Sequence, residues 1–214
     1  MIIHTIGLEG CGHHGLENVI INILQKEQNY VCKDILNNSI LQKSRNCDDK
    51  FEFKQNIAKY LKNKNYLIYT DDSYPSGGNR TIEQHKDIIE IYDNISEYDE
   101  IVLIYLKRDI YNTINSHPTH DGNIINHTKI LKESKKYIEN QITLLRKKNV
   151  NVYEINYEDI DNDIGITTIS EILKVDFDIV KDSVNKNFRK STKNYRNLLD
   201  INTIQQIKNI LSIV

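Results

Sequence analysis

Short apolar runs bounded by polar residues recur along the chain. Four of them have the length and the β-branched or aromatic content of buried strands: Ile2–Ile6, Tyr66–Thr70, Ile101–Leu106 and Val150–Ile155. Strands that are covered on both faces read as nearly continuous apolar runs, whereas half-exposed strands alternate apolar and polar residues. The pattern therefore predicts a parallel sheet with helices on both of its faces.

Helical spacing fills the stretches between these strands. One apolar face after the first strand consists of Leu16, Ile20, Ile23 and Leu24. Thr81 is a suitable N-cap for a second helix that runs to about Tyr98. A third helix has the apolar stripe Leu131, Ile138, Ile142 and Leu145. It ends in Arg146-Lys147-Lys148, a basic last turn that complements the helix dipole.

Alternating strands and helices predict an α/β fold, in which ligands bind at the carboxyl ends of the parallel strands. The 214 residues suit a single domain, and no repeat or low-complexity linker divides them. We expect residues 160–214 to be a helical C-terminal part of that same domain. The residues that directly follow each strand are therefore the candidates for a ligand site.

Composition limits the classes of partner. With 39% hydrophobic residues, 27% charged residues and a net charge of −2, the chain has no global field that favours nucleic acid or an anionic membrane. Any bound anion must be held by a local site. No apolar run reaches membrane length, and the three cysteines form no CxxC pair, so we expect a cytoplasmic protein with reduced thiols.

A glycine-rich segment follows the first strand. It reads Gly7-Leu8-Glu9-Gly10-Cys11-Gly12-His13-His14-Gly15 and leads into the first helix. Glycines and a helix N-terminus together present backbone N–H groups to an anion. The spacing Gly7-x4-Gly12 has the glycine frame of a phosphate-binding P-loop, with His13-His14 in the place of Lys-Ser/Thr. The prediction is thus a three-layer P-loop-type sheet flanked by helices, with a tight turn that binds no ligand as the alternative.

The cysteine in this loop has two interpretations. A cysteine phosphatase needs an arginine six residues after the cysteine, and Glu17 occupies that position. Cys11 is then either a thiol activated by the helix N-terminus or a small residue that fits the loop.

An arginine and a serine follow the strand Ile101–Leu106. Arg108 lies at the strand end, and Ser116 lies eight residues later, about two helical turns away. A guanidinium binds phosphate through two hydrogen bonds, and a hydroxyl from the following helix adds another donor.

These residues resemble a pattern of the sulfotransferases that use 3′-phosphoadenosine-5′-phosphosulfate (PAPS). That family has an arginine after this strand and a serine eight residues later, and both bind the 3′-phosphate. Two further segments agree in order: Tyr157-Glu158-Asp159 is similar to the family's Tyr-Glu-Asp-Leu, and Phe188-Arg189-Lys190-Ser191 is similar to its Phe-Arg-Lys-Gly.

The resemblance implies a transferase that moves a sulfuryl group from PAPS to a hydroxyl or amine and releases 3′,5′-ADP without a required metal. It implies two groups of binding residues. Those for the 5′-phosphate are Gly10, Cys11, Gly12, His13, His14 and Gly15, and those for the 3′-phosphate are Arg108, Ser116, Arg189 and Lys190. Gly10 replaces the family's basic loop residue, so His13 or His14 is expected to donate a hydrogen bond to the 5′-phosphate or a proton to the leaving group, with His14 as the catalytic candidate.

Two acidic residues after the second predicted strand, Asp71 and Asp72, are candidates for the base that deprotonates the acceptor, with an Asp-Asp-Ser turn as the alternative. We expect the acceptor, a small molecule, glycan or peptide, to contact the loops 73–80 and 117–126, with Arg80 available to an anionic one. His117 and His120 resemble metal ligands but lack a clear third partner.

Two other functions stay open. In a Mg²⁺-dependent P-loop phosphotransferase, Asp71 would end a metal-binding strand, although the loop lacks Lys-Ser/Thr. In a degenerate nucleotide-binding protein, the loss of the basic loop residue at Gly10 would leave binding without catalysis. The sequence does not determine the oligomeric state.

Overall fold

A computed structural model of the chain describes residues 1–27, 30–31, 66–75, 89, 92–93, 100–116, 122–191 and 199–212, with the backbone alone at 30–31 and 66–72. Its strands are β1 (Ile2–Leu8), β2 (Tyr30–Val31), β3 (Tyr66–Tyr74), β4 (Ile101–Lys107) and β5 (Asn151–Asn156). Its longer helices are α1 (His13–Lys26), α2 (Ile110–Ser116), α3 (Ile124–Lys147), α4 (Asp163–Leu173), α5 (Phe177–Asn187) and α6 (Ile201–Ser212).

The strands form one sheet in the order β2-β3-β1-β4-β5, and every pair is parallel. β1 lies in the centre, between β3 and β4. Its Gly7 is in register with Ser73 on one side and Leu106 on the other. Because parallel strands buried on both faces need apolar side chains throughout, all seven residues of β1 are buried.

The four predicted strands are confirmed, with shifted ends. The predicted burial is wrong for β5, which lies at the edge of the sheet and has only Ile155 buried. β3 continues for four residues beyond Thr70, so Asp71 and Asp72 lie within the strand and the Asp-Asp-Ser turn is wrong. Pairing with β1 extends β3, since Asp71 is in register with Thr5 and Asp72 with Ile6. β2 has two residues, too few to produce a recognisable pattern.

Helices cover both faces of the sheet, which confirms the α/β prediction. In α1 the predicted apolar face is fully buried: Leu16, Ile20, Ile23 and Leu24. The predicted stripe of α3 is buried too: Leu131, Ile138, Ile142 and Leu145. Asn123 caps α3 by accepting hydrogen bonds from the backbone N–H groups of Ile125 and Asn126. The predicted helix from Thr81 falls almost entirely outside the described residues.

The chain order of the strands places a topological switch point in the sheet. From β1 the chain turns towards β3 and the β2 edge, and from β4 it turns towards β5. Connections that leave neighbouring strands in opposite directions open a crevice at their carboxyl ends. The residues after β1 and after β4 therefore face a common site.

The part of the chain after β5 is largely helical. α5 packs on α1, α4 packs on β5 and α5, and α6 packs on α3. In the described part of the chain, no helix is both long enough and apolar enough to cross a bilayer.

Candidate functional site

The loop Glu9–Gly12, here named the glycine loop, joins β1 to α1. Two of its residues have positive φ, Gly10 at 87° and Gly12 at 93°, so the chain reverses direction within a few residues. Gly12 is the N-cap of α1, and its carbonyl accepts the N–H groups of Gly15 and Leu16. The N-terminus of a helix carries a partial positive charge, which makes this turn suitable for binding an anion.

Gly10 lies against the end of α2. A Cβ at position 10 would overlap the hydroxyl of Ser116 and come within 3.0 Å of the Thr113 carbonyl oxygen. Ser116 donates a hydrogen bond to that same Thr113 carbonyl, over 2.7 Å. The glycine loop and the serine predicted to bind phosphate are therefore in direct contact.

Arg108 approaches the glycine loop from the end of β4. Its Nη1 donates a 2.7 Å hydrogen bond to the carbonyl oxygen of Gly10. Its guanidinium also stacks on Tyr157, with 4.3 Å between the Cζ atom and the ring centroid. Although they are eight residues apart, Arg108 and Ser116 meet at one glycine, and both are half-buried.

Tyr157 supports the other side of the glycine loop. It begins a 3₁₀ turn, Tyr157–Asp159, directly after β5, and it is 7% exposed. A Cβ at Gly12 would overlap its ring. The ring also packs edge-on against Phe188, with 5.4 Å between the centroids, and Phe188 in turn lies against Gly15. Glycine is required at position 12 by both its φ and this contact.

The segment Phe188–Ser191, here named the basic segment, follows α5 and lies beside the same turn. The backbone N–H of Ser191 donates to the Tyr157 hydroxyl over 2.9 Å. Lys190 donates to the Glu158 carbonyl at 2.5 Å and pairs with Asp161 at 2.8 Å. Arg189 and Lys190 are both exposed. The structure thus brings the basic segment to the first turn of α1 through Phe188, with its two cationic side chains at the surface.

The two histidines of the loop point in different directions. His13 is buried and lies against Gly7, where an added Cβ would be 3.0 Å from its Nε2. His14 has a side chain that is 95% exposed, and its Nδ1 lies 3.5 Å from Oε2 of the buried Glu17. His14 is thus the residue of the pair that solvent or a ligand at the helix N-terminus can reach.

Cys11 packs inside the loop. It is 1% exposed, it is in no disulfide, and its sulfur lies 3.9 Å from the Thr113 hydroxyl. Burial raises the pKa of the thiol from 9.0 to about 11, so at neutral pH it is protonated and unreactive. Of the two interpretations, the structure supports the small residue that fits the loop.

The candidate base and acceptor regions are only partly described. Asp71 and Asp72 lie on β3, the strand next to β1, and both precede its carboxyl end at Tyr74. Arg80, His117 and His120 lie outside the described residues. No group of three or more His, Cys, Asp and Glu side chains that suits a metal ion occurs in the ranges that the structure describes.

A cavity of about 310 Å³ opens beside the glycine loop, between the ends of β4 and β5 and the middle of α3. Cys11 is among its lining residues, and its charged lining consists of Lys107, Arg108, Asp109, Lys135, Glu139 and Glu158. These charges are largely matched within the protein: Lys107 bonds with Glu154 and lowers the pKa of that carboxyl, and Glu158 accepts the N–H of Asp109.

Sequence reasoning assigned Tyr157 to a motif without giving it a role. The structure shows that it contacts Arg108, Gly12 and Ser191, which come from three distant segments. The only available signal was its position, since an aromatic residue directly after a strand lies at the edge where the site forms.

Comparison with known proteins identifies no family. No protein-family model matches the chain, and no curated protein matches it. Among solved structures, the sulfotransferase domain of the Synechococcus PCC 7002 olefin synthase is 18% identical. It has a TM-score of 0.49, over 100% of this chain and 88% of that one. A deoxyadenosine kinase from M. mycoides with bound dATP is 16% identical. Its TM-score is 0.40, over 81% of this chain and 99% of that one.

Structural similarity at this sequence identity and TM-score does not identify a substrate, because one fold supports many activities. Function is therefore inferred from the residues of the site.

Proposed function

We propose that the chain is a PAPS-dependent sulfotransferase that transfers a sulfuryl group to a hydroxyl or amine acceptor and releases 3′,5′-ADP. One observation carries the proposal: Arg108 and Ser116, which follow β4, both contact Gly10 of the glycine loop after β1. The site therefore combines a helix N-terminus, a guanidinium and a hydroxyl at the switch point of the sheet.

The donor set suits a ligand with two separate phosphates. Backbone N–H groups at the start of α1 are suited to the 5′-phosphate. Arg108 is suited to the 3′-phosphate, together with Ser116 once its hydroxyl turns from the Thr113 carbonyl to the phosphate. A guanidinium carries five N–H donors, of which the Gly10 carbonyl accepts one at 2.7 Å. Arg189 and Lys190 add positive charge from the basic segment once Lys190 leaves Asp161.

The same loop disfavours a nucleoside triphosphate. A lysine after the last loop glycine normally reaches the β- and γ-phosphates, and a following hydroxyl holds Mg²⁺. His13 and His14 occupy these positions, and His13 is buried against Gly7. We therefore favour PAPS over ATP as the donor.

In the proposed reaction, the acceptor oxygen or nitrogen forms a bond to sulfur while the bond from sulfur to the bridging oxygen breaks. Asp71 or Asp72 takes the acceptor's proton, because a neutral hydroxyl is a poor nucleophile. His14, exposed at the N-terminus of α1, donates a proton to the departing oxygen. The rate comes mainly from positioning, to which Arg108 contributes by holding the 3′-phosphate, and from charge stabilisation by the N–H groups at the start of α1.

The test is turnover with sulfur-labelled PAPS and a panel of hydroxyl and amine acceptors, beside the same panel with ATP and Mg²⁺. Labelled product from PAPS that persists in EDTA supports the proposal. Metal-dependent transfer from ATP would replace it with a phosphotransferase. If 3′,5′-ADP binds and no acceptor is labelled, the chain binds the nucleotide without catalysis, and the proposed chemistry is wrong.

Gly10 provides a second test. Restoring the family's basic residue with Gly10→Lys does not raise the rate on this account, because any Cβ at position 10 overlaps the Ser116 hydroxyl. A Gly10→Lys variant that folds normally and turns over faster than the native chain would contradict the proposed arrangement of Arg108 and Ser116.

A further inference from the structure

Tyr157 contacts three segments of the site: the end of β4, the glycine loop and the basic segment. Its ring stacks on the Arg108 guanidinium, fills the space beside Gly12 and packs on Phe188. Its hydroxyl accepts the N–H of Ser191. The reaction proposed above gives this side chain no role.

Arg108 has to be held in place if it is to select a ligand. A free arginine side chain has about 2 kcal/mol of rotamer entropy, which a phosphate would have to overcome on binding. In this site the Gly10 carbonyl accepts a hydrogen bond from one end of the guanidinium, and the Tyr157 ring lies against its central carbon. Neither the carbonyl nor the ring carries a net negative charge, so these two contacts orient the guanidinium without forming an ion pair with it.

We propose that Tyr157 is a positioning residue that makes the site selective for a nucleotide with a 3′-phosphate, and that it acts through Arg108. This rests on the proposed function. The ring and the hydroxyl have separate roles: the ring orients Arg108, and the hydroxyl ties down the basic segment through Ser191.

The experiment is calorimetric titration with 3′,5′-ADP and with 5′-AMP, whose affinity ratio measures selectivity for the 3′-phosphate. Tyr157→Leu lowers this ratio about three- to tenfold, the range of a partly desolvated cation–π contact. Tyr157→Phe keeps the ring and keeps the ratio within about twofold. Tyr157→Met, unbranched and without a ring, replaces Tyr157→Leu if that variant does not fold.

The matched control is Tyr153→Leu, which removes a half-buried tyrosine of β5 that packs against the core. It lowers stability without changing the ratio. If Tyr153→Leu and Tyr157→Leu lower the ratio equally, Tyr157 only supports the fold.

A double variant of Arg108 and Tyr157 tests whether Tyr157 acts through Arg108 or only through packing in the fold. In an Arg108→Ala background, Tyr157→Leu does not lower the ratio further, because the residue through which it acts has gone. An equal additional loss in that background overturns the proposal.

A ligand-free measurement distinguishes failure of this inference from failure of the proposed function. A side chain stacked on an aromatic ring has upfield-shifted NMR resonances, and Tyr157→Leu returns those of Arg108 towards ordinary values. If the native chain shows no preference for 3′,5′-ADP, the proposed function fails, and so does the selectivity assigned to Tyr157. The Arg108 resonances then still establish whether the ring fixes the guanidinium. If the preference exists and Tyr157→Leu leaves both it and the resonances unchanged, this inference alone fails.

Discussion

The glycine loop and the basic segment lie side by side at the same edge of the sheet, and they hold their charged groups in different ways. Around the glycine loop, Arg108 is half-buried and is fixed by a carbonyl and a ring. In the basic segment, Arg189 is exposed, and Lys190 forms an ion pair with Asp161 at the surface.

The difference separates two contributions to anion binding. A guanidinium fixed by packing has a defined direction, so its removal costs both affinity and selectivity. Exposed cations on long side chains add attraction that salt screens, and they contribute little direction. Substitutions around the glycine loop should therefore affect folding and selectivity, whereas substitutions in the basic segment should affect affinity alone.

The largest expected effect tests whether packing fixes the loop. Gly12→Ala places a Cβ in the Tyr157 ring and keeps a positive φ, so we expect a loss of about 2–5 kcal/mol in the free energy of unfolding. The control is Gly122→Ala: Gly122 has φ 86° with nothing within 4 Å of an added Cβ, so it costs only about 1–2 kcal/mol. Urea unfolding measures both variants, and equal losses would mean that the Tyr157 contact contributes nothing.

The second effect uses the buried thiol of the loop. Because the pKa of Cys11 rises from 9.0 to about 11 on folding, the unfolded chain ionises first as the pH increases. The contribution of the protonated thiol to the free energy of unfolding is complete below pH 9 and is lost as the pH rises through 11. Between these two pH values the free energy of unfolding of the native chain should fall by about 2–3 kcal/mol more than that of Cys11→Ala. Parallel stability curves from urea unfolding would show that the thiol ionises freely.

The third effect concerns the fixed orientation of the Arg108 guanidinium. Arg108→Ala should weaken binding of 3′,5′-ADP about 10- to 100-fold and leave 5′-AMP nearly unchanged, since charge-assisted hydrogen bonds contribute about 1.5–3 kcal/mol. Arg146→Ala is the matched control, because Arg146 pairs with Glu154 at the surface. Calorimetry that finds equal weakening for the two nucleotides would assign Arg108 a structural role only.

The smallest effect belongs to the basic segment. Lys190→Ala should weaken the binding of 3′,5′-ADP by less than about fivefold, because ion pairs of exposed charges contribute about 0–1 kcal/mol. Its effect should vanish in about 1 M salt, where the Debye length is ~3 Å. Asp161→Asn, which releases Lys190, should bind equally well or better. A loss from Lys190→Ala as large as that from Arg108→Ala, and independent of salt, would remove the distinction between the two regions.

Much of the fold follows from apolar runs, because strands buried on both faces leave an unambiguous pattern. β1 and β4 are examples, and the helices α1 and α3 have clear apolar stripes. The end of β3 was not predictable, since Asp71 and Asp72 are poor strand residues and lie in the strand because β1 pairs with it there. The tertiary pairing overrides the local preference.

For the site, the sequence identified residue types and order but not contacts. The spacing of Arg108 and Ser116 predicted a common ligand, yet nothing in it indicated that both would touch Gly10. Two adjacent histidines also read alike, while the structure buries His13 and exposes His14. Such differences depend on which neighbours the fold brings together, and periodicity carries no information about that.

The most direct test of the account is a calorimetric comparison of 3′,5′-ADP with 5′-AMP on the native chain, in the absence of Mg²⁺. With Arg108 and Ser116 fixed beside Gly10, we expect 3′,5′-ADP to bind at least about tenfold more tightly, the contribution of one charge-assisted phosphate contact. Equal affinity for the two nucleotides would contradict a 3′-phosphate site at Arg108, and with it the proposed use of PAPS.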